Sequence, residues 1–231
     1  MTRRPVHVDT MPQDKHVVAP QPGLKALAAG RVHEATGPGR MAFALAIAGE
    51  SEGAILWIMD ARRRDLPCPQ GIASFADPAR LILVRPTGLV AALQTAEEAL
   101  RAGASPLVIA DLDTAPDLTQ SRRLQLAAST GGGRGLCLVP ESGLAANAAE
   151  TRWHCSPIPR RAAVPGVGSG TGAPQHWELV KNKRGPLGAW QVWLADRPQP
   201  PSDPAAAGRG GAASPIRAPA PTPLRIAAGR G

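Results

Sequence analysis

Two short apolar runs on either side of an amphipathic stretch dominate the middle of the chain, between Leu81 and Asp113. The first run, residues 81–84, is too short for a helix and ends at Arg85-Pro86, so it predicts a buried strand. The second run, residues 107–110, ends on Asp111. Two strands joined by a helix imply a parallel, right-handed unit. Asp111 is then expected at the carboxyl end of its strand, where open α/β sheets bind ligands.

The stretch between the two runs predicts a helix that Thr87 caps and Gly103 ends. Its apolar residues recur at steps of four, three and four, which places them on one helical face. They are Leu89, Leu93, Ala96 and Leu100.

The rest of the chain alternates in the same way. Further strands are predicted at 31–36, 53–60, 135–140, 151–158, 176–183 and 188–195, and further helices at 24–29, 40–49, 118–129 and 142–149. The prolines in Leu66-Pro67-Cys68-Pro69 predict that the loop 61–77 is irregular. The last two strands predict a hairpin with one apolar face and a basic tip. The fold class is therefore α/β, a mostly parallel sheet flanked by helices, with a C-terminal antiparallel hairpin.

The two ends of the chain differ from its middle in composition. Residues 1–23 hold four prolines and predict a flexible arm; in residues 196–231, 22 of 36 are Ala, Pro or Gly, which predicts a disordered tail. We expect one folded domain at 24–195, with a mobile glycine-rich loop at 164–172.

Net charge is +8, and six of these charges lie in residues 1–31 and 196–231, whereas the middle is nearly balanced. Basic flanks favour polyanionic partners such as nucleic acid, although an arginine-rich proteome also produces them.

Several classes of protein are not expected from the sequence. Cys68, Cys137 and Cys155 are isolated and lack C-x-x-C spacing, which argues against a disulfide framework or a zinc site and fits a reducing compartment. The N-terminus lacks the apolar core of a signal peptide, and no apolar stretch is long enough to span a membrane. We expect a cytoplasmic protein.

The turn after the first predicted strand stands where a phosphate-binding loop would lie. Such a loop needs G-x-x-x-x-G-K-[ST], in which amides cradle the phosphates, the lysine neutralises charge and the hydroxyl binds magnesium. Here Gly37-Pro38-Gly39 is followed by Arg40-Met41-Ala42, without the lysine or the hydroxyl, and Pro38 removes one amide. A tight strand-to-helix turn is the simpler interpretation.

Acidic and basic residues supply the other candidate sites. Asp60 and Asp111 each end an apolar strand, where a carboxylate either binds magnesium through water or caps the turn. The basic cluster at the predicted hairpin tip, Lys181, Lys183 and Arg184, either contacts phosphate or a partner, or is simply solvated. His33, His154 and His176 lack ligand spacing, so we expect satisfied single histidines rather than a metal site.

With these landmarks in place, the chain resembles RecA-like proteins, and more closely the ImuA-type proteins, RecA-related accessory factors of inducible mutagenesis. The resemblance covers roughly residues 24–195. It is carried by VHEATGP at 32–38, LWIMDAR at 56–62, the block DPARLILVRPTGLVAALQTAEEALRAGASPLVIADLD at 77–113, and WELVKNKRGPLGAWQVWL at 177–194.

The resemblance also shows where this chain departs from RecA. The RecA family's second strand ends in Asp-Ala-Glu, whose glutamate activates water, whereas this chain has Asp60-Ala61-Arg62. An arginine cannot accept a proton at neutral pH. Asp111 matches the magnesium-side aspartate, and Lys181 and Lys183 match a Lys-x-Lys that reaches nucleotide across a filament interface. We therefore expect a degenerate nucleotide site at Gly37, Gly39, Arg40, Asp60, Arg62 and Asp111, with no catalytic residue, no metal and no ATP or magnesium cofactor.

What the resemblance implies is a non-hydrolysing adaptor in SOS-induced DNA-damage tolerance and error-prone translesion synthesis. Its implied partners are an ImuB-like Y-family polymerase homologue and an error-prone C-family polymerase. Contacts with RecA, and with DNA through the basic hairpin and tails, are left open. Two other hypotheses remain at this point. The first is a nucleotide-dependent RecA-like ATPase with an unrecognised phosphate site. The second is a DNA-binding repair protein that acts through Lys181, Lys183, Arg184 and the tails, and its affinity for DNA would fall steeply with salt.

Overall fold

The computed structural model describes residues 23–142, 146–159, 173–194 and 227–228. The predicted arm lies outside these residues except for Gly23, as do the glycine-rich loop at 164–172 and the tail at 196–231 apart from Ala227 and Ala228.

The described residues alternate strands with helices before ending in antiparallel strands. The helices are α1 (Arg40–Glu50), α2 (Pro69–Ala73), α3 (Leu89–Ala102) and α4 (Leu118–Gly131), with 3-10 turns at Leu24–Ala26 and Pro78–Arg80. The strands are β1 (Val32–Thr36), β2 (Ile55–Met59), β3 (Leu81–Val84), β4 (Leu107–Asp111), β5 (Arg134–Leu138), β6 (Thr151–Pro157), β7 (Ala173–Asn182), β8 (Gly188–Leu194) and β9 (Ala227–Ala228).

All nine of these strands belong to one sheet, in the order β3-β2-β4-β5-β1-β6-β7-β8-β9. The six strands from β3 to β6 run parallel, and β7, β8 and β9 continue the sheet antiparallel. The predicted α/β fold class, mostly parallel with a C-terminal hairpin, is confirmed. Because β1 lies between β5 and β6, the loop that follows β1 is placed next to both halves of the sheet.

The parallel half of the sheet is covered on both faces, as parallel sheets require. One face packs against α1 and the turn at Leu24–Ala26, and the other packs against α3 and α4. The face of α3 predicted from its apolar spacing is the face that packs, since Leu93, Ala96 and Leu100 are buried. Gly103 ends α3 with φ 62°, as predicted.

The antiparallel half has a single apolar face, which packs against Phe43 of α1. The Phe43 ring meets Trp177 edge-on at a centroid distance of 4.8 Å and lies 5.4 Å from Trp153. Trp190 extends this aromatic cluster, 5.5 Å from Trp153. The alternation of tryptophans along the predicted hairpin thus marks the side that α1 covers.

The position of β3 differs from the prediction. Pattern alone predicted a buried strand, but β3 lies at the edge of the sheet, with Ile82 53% and Leu83 37% exposed. β2 lies between β3 and β4, so the two predicted strands are parallel but are not neighbours. A four-residue apolar run is compatible with either position, and only tertiary pairing decides between them.

Three local predictions are also corrected. Gly88, with φ 84°, precedes α3 instead of Thr87, because its amide donates to the Asp60 carboxylate. The proline-rich loop contains the short helix α2, which begins at Pro69. Proline is favoured at the first position of a helix, because the amide of that residue has no hydrogen-bond partner within the helix. Residues 146–149 of the predicted helix at 142–149 are not helical, and 143–145 lie outside the described residues.

His33 fixes β1 to the segments on either side of it. Its Nε2 lies 3.1 Å from the Ala28 carbonyl, which can only accept, so Nε2 carries the proton and Nδ1 accepts from the Thr151 hydroxyl at 2.7 Å. The side chain is fully buried, and this desolvation lowers the pKa of His33 from 6.5 to about 4. His33 is therefore a satisfied, neutral histidine, as expected.

We predict that replacing Leu124 lowers stability far more than replacing Leu126 in the same helix. Leu124 is 2% exposed and belongs to the hydrophobic core between α4 and the sheet, whereas Leu126 is 69% exposed. Leu124→Ala should lower the free energy of unfolding by about 2–5 kcal/mol, and the matched control Leu126→Ala by less than about 0.5 kcal/mol. Urea unfolding followed by circular dichroism measures both; similar losses in the two variants would contradict the assigned packing of α4.

We also predict a loss of stability in mild acid that depends on His33. Because the unfolded state takes up the His33 proton near pH 6.5 and the folded state only near pH 4, stability falls as the pH drops through this window. The size of this effect is roughly 3 kcal/mol at pH 4. Urea midpoints between pH 7 and pH 4 should show a shallower pH dependence for His33→Gln than for wild type; equal slopes in the two proteins would disprove the assignment.

Candidate functional site at the carboxyl edge of the sheet

The predicted nucleotide-site residues lie along one edge of the sheet, where β1, β2 and β4 end, here called the carboxyl edge. The loop Gly37–Gly39 follows β1, Asp60 follows β2, and Asp111 is the last residue of β4. Because Met59 of β2 pairs with Asp111 of β4, Asp60 and Asp111 end neighbouring strands. This is the edge at which open α/β sheets place their ligands.

The glycines of the β1 loop are required by close packing against β6. Gly37 has φ 85°, and a Cβ on it would lie 2.3 Å from the Cys155 carbonyl oxygen. A Cβ on Gly39 would lie 2.7 Å from the side-chain oxygen of Gln175 and 2.9 Å from the Cys155 carbonyl carbon. Both glycines therefore allow the loop to rest directly on the backbone of β6.

The amides of this loop are used within the chain. The Gly39 amide donates to the Cys155 carbonyl at 2.8 Å, and the Arg40 amide donates to the Gly37 carbonyl at 3.2 Å. The Arg40 guanidinium also donates to the Gly37 carbonyl, at 3.1 Å. Pro38 has no amide, and the Gly39 and Arg40 amides are directed at backbone carbonyls of β6 and of the turn itself.

Asp60 is held by the arginine that stands two residues after it. The Arg62 amide and Nε donate to Oδ1 at 2.8 and 2.9 Å, and Arg62 Nη2 donates to Oδ2 at 2.8 Å. The Gly88 amide supplies a fourth bond, to Oδ2, at 2.8 Å. The hydrogen bonds from the Arg62 side chain, followed by those from the backbone, hold the pKa of Asp60 well below its usual range.

Asp111 is paired with the next arginine in the chain. The Arg63 Nη1 atom lies 2.7 Å from Asp111 Oδ2, an ion pair whose angles are not those of a directed hydrogen bond. Burial raises the pKa of Asp111, and the positive charge of Arg63 opposes this effect. Arg63 also contacts Asp65 at 3.2 Å. Asp111, like Asp60, therefore has a guanidinium as its counter-charge.

Residues 61–65, called the arginine loop, are tied down by Arg85. The Arg85 guanidinium donates to the carbonyls of Ala61 and Arg63 at 2.7 and 2.6 Å. The Ala61 amide donates in turn to the Pro86 carbonyl at 2.8 Å. The segment that follows β3 thus holds the arginine loop across the ends of β2 and β4.

The residues of the carboxyl edge are engaged by one another and by neighbouring backbone. The Gly39 and Arg40 amides face backbone carbonyls, and Asp60 and Asp111 are each paired with an arginine. Arg63 and Arg85 were not singled out in the sequence. The signal that could have revealed Arg63 is the run of three arginines directly after a strand that ends in Asp60.

The basic cluster at the hairpin tip contacts the chain itself. Lys181 Nζ donates to the Asn147 carbonyl at 2.8 Å, and Lys183 Nζ donates to the Ala148 carbonyl at 2.6 Å. Arg184 Nε lies 2.7 Å from Glu150 Oε1. The three cations fasten the segment 147–150 along the end of the hairpin, and they lie on β7 and its turn rather than at the carboxyl edge.

A buried carboxylate, Glu34, joins this segment to the sheet. Glu34 lies in β1, is 1% exposed, and pairs with Arg152 Nε at 2.8 Å. The Asn147 side-chain amide donates to its other oxygen. Burial lowers the pKa of nearby Lys181, an effect that Glu34 and Glu150 oppose. The role of Glu34 was missed because a single glutamate inside an otherwise apolar strand gives no indication of its partners.

The remaining sequence candidates do not converge on a metal site. His154 contacts Glu141 at 2.5 Å, and His176 lies on the neighbouring strand β7. Within the described residues, no three His, Cys, Asp or Glu side chains are grouped so that they could hold a metal ion. In the same part of the chain, no helix combines the length and the apolar character needed to cross a bilayer.

Comparison with known proteins relates the chain to one named protein. No family model matches it. It is 36% identical over 151 residues to Protein ImuA of Caulobacter vibrioides, in strain NA1000 / CB15N and equally in strain ATCC 19089 / CIP 103742 / CB 15. The match covers 60% of this chain and 59% of each relative, so the chain spans about three fifths of the length of the curated relatives it matches. The resemblance to ImuA-type proteins predicted from the sequence is confirmed by this similarity.

Proposed function

We propose that this chain is a non-hydrolysing accessory protein in SOS-induced DNA-damage tolerance, acting as an adaptor in error-prone translesion synthesis. The similarity to Protein ImuA supports the general role. The observation that carries the adaptor role is the carboxyl edge, where Arg62 and Arg63 pair with the two carboxylates that a nucleotide hydrolase would need.

Three functions that nucleotide hydrolysis requires have no suitable residue at this edge: activation of water, binding of magnesium and binding of phosphate. Arg62 cannot take a proton from water at neutral pH. Asp111 already carries a counter-charge, and a magnesium ion would have to displace the Arg63 guanidinium from it. The β1 loop offers Arg40 instead of the lysine and hydroxyl of a phosphate loop. These features support protein contact rather than catalysis as the role of the chain.

The proposed partners are an ImuB-like Y-family polymerase homologue and an error-prone C-family polymerase, in the cytoplasm. We assign no DNA-binding function to the hairpin, because Lys181, Lys183 and Arg184 are engaged by the segment 147–150.

We predict that the purified chain does not bind ATP with magnesium at micromolar concentrations. Fluorescently labelled ATP titrated in the presence of magnesium should give no saturable signal, with an active RecA-type ATPase as the positive control. Arg62→Ala should behave like wild type, since Arg63 still pairs with Asp111, the carboxylate that would face magnesium, in that variant. Magnesium-dependent micromolar binding that is abolished in Asp111→Ala would overturn the non-hydrolysing assignment.

We further predict that a clean deletion of the gene abolishes damage-induced mutagenesis. Mutation frequency after ultraviolet exposure should fall to the uninduced level and should return when either wild type or Arg62→Ala is supplied on a plasmid. The two should complement equally because the proposed role needs no hydrolysis. Normal induced mutagenesis in the deletion strain would count heavily against the proposed function.

A further inference from the structure

The last described strand comes from the far end of the chain and covers only part of the strand beside it. β9 pairs antiparallel with β8, Ala228 lying opposite Val192 and Ala227 opposite Trp193. Among the described residues, no other segment pairs with this side of β8, so residues 188–191 have no strand beside them there. β9 is therefore a short cover over one end of an edge strand.

The sequence of β8 makes an uncovered edge prone to association. From Leu187 to Ala195 the chain has no charged residue and no proline, and it contains two tryptophans and a valine. Residues of these types favour strands, and an uncharged edge strand without proline is a template for pairing with another chain. Because β8 carries neither a charge nor a proline of its own, the protection of this edge comes from β9.

The tail can form a strand at β9 because its prolines end shortly before it. A proline has no N–H for a sheet ladder, and no proline follows Pro223. The two residues that pair, Ala227 and Ala228, are of a type that is depleted in strands. The pairing therefore depends on backbone hydrogen bonds more than on the strand preference of its residues.

This pairing is weak in itself and is favoured by its connection to the chain. Two residues supply few ladder hydrogen bonds, and each contributes little net stability because water competes for the same groups. Residues 195–226 join β9 covalently to β8, however, so the effective concentration of β9 at this edge is high. A strand of another molecule competes with β9 at a disadvantage until β9 is released.

From these observations we propose that β9 is a displaceable strap that protects the β8 edge from pairing with a second copy of the chain. While β9 is bound, the end of β8 at Val192 and Trp193 is closed. When β9 is released, two β8 edges pair antiparallel about a two-fold axis. No like charges oppose each other in that pairing, since residues 187–195 are uncharged. The strap controls self-association, and it holds whether or not the proposed function is correct.

The test removes the pairing without shortening the chain. The double variant Ala227→Pro/Ala228→Pro deletes both amides of β9, and the matched control Ala206→Pro/Ala207→Pro places two prolines elsewhere in the tail. In sedimentation velocity, the double variant should dimerise about tenfold more tightly than wild type and the control. In hydrogen–deuterium exchange at a concentration where all three are monomers, peptides covering residues 190–194 should exchange about threefold faster in the double variant.

A lysine on β8 shows whether the new contact uses this edge. Ala189 is exposed on β8, and a lysine on an edge strand opposes pairing with another strand. Ala189→Lys, added to the double variant, should return its dimerisation to the level of wild type. Circular dichroism of each variant confirms that it is folded.

Three results would overturn the inference. Exchange and sedimentation of the double variant that match wild type would mean that β9 does not protect the edge. Tighter dimerisation that persists with Ala189→Lys would place the contact elsewhere on the molecule. Protection of residues 190–194 in wild type that rises with concentration would show that the strand on this edge belongs to a second copy and not to the chain itself.

Discussion

The buried carboxylates Glu34, Asp60 and Asp111 each have a positive charge beside them, because an isolated charge in the interior costs far more than a paired one. Asp60 and Asp111 receive theirs from consecutive arginines, and Glu34 receives its own from Arg152. These pairs determine where the loops run. The arginine loop lies across the ends of β2 and β4 because its cations are drawn to the two aspartates. Glu34 joins the segment 147–150 to β6 in a similar way, through Asn147 and Arg152.

Most of the fold was predictable because the apolar residues of its strands and helices recur with a clear period, and because glycine or proline marks where many of these elements end. The face of α3, its end at Gly103 and the hairpin with its tryptophans all follow from local pattern. The position of β3 does not, because burial of a short apolar run depends on which strands pair beside it. The start of α3 was misassigned for a related reason: Gly88 is fixed by a bond to Asp60, 28 residues earlier in the chain.

The candidate site was predictable in its location but not in its contents. The sequence placed Asp60, Asp111 and the β1 glycines at one edge, and the topology brings them there. What it could not indicate is that Arg63 turns back towards Asp111, or that the Gly39 amide points at β6. Both contacts join residues from separate elements, and their geometry exists only once the sheet has formed. The hairpin lysines illustrate the converse, since their charge was visible in the sequence but their partners were not.

The pairing of Arg63 with Asp111 has a consequence for timing. A nucleotide and its magnesium ion come and go, so a protein that holds them passes through states that report on hydrolysis. A guanidinium that belongs to the polypeptide cannot diffuse away or be consumed. In the proposed adaptor role, no nucleotide turnover at this edge limits the lifetime of an assembly. That lifetime is then set by the abundance of the proposed partners and by the strength with which they bind each other.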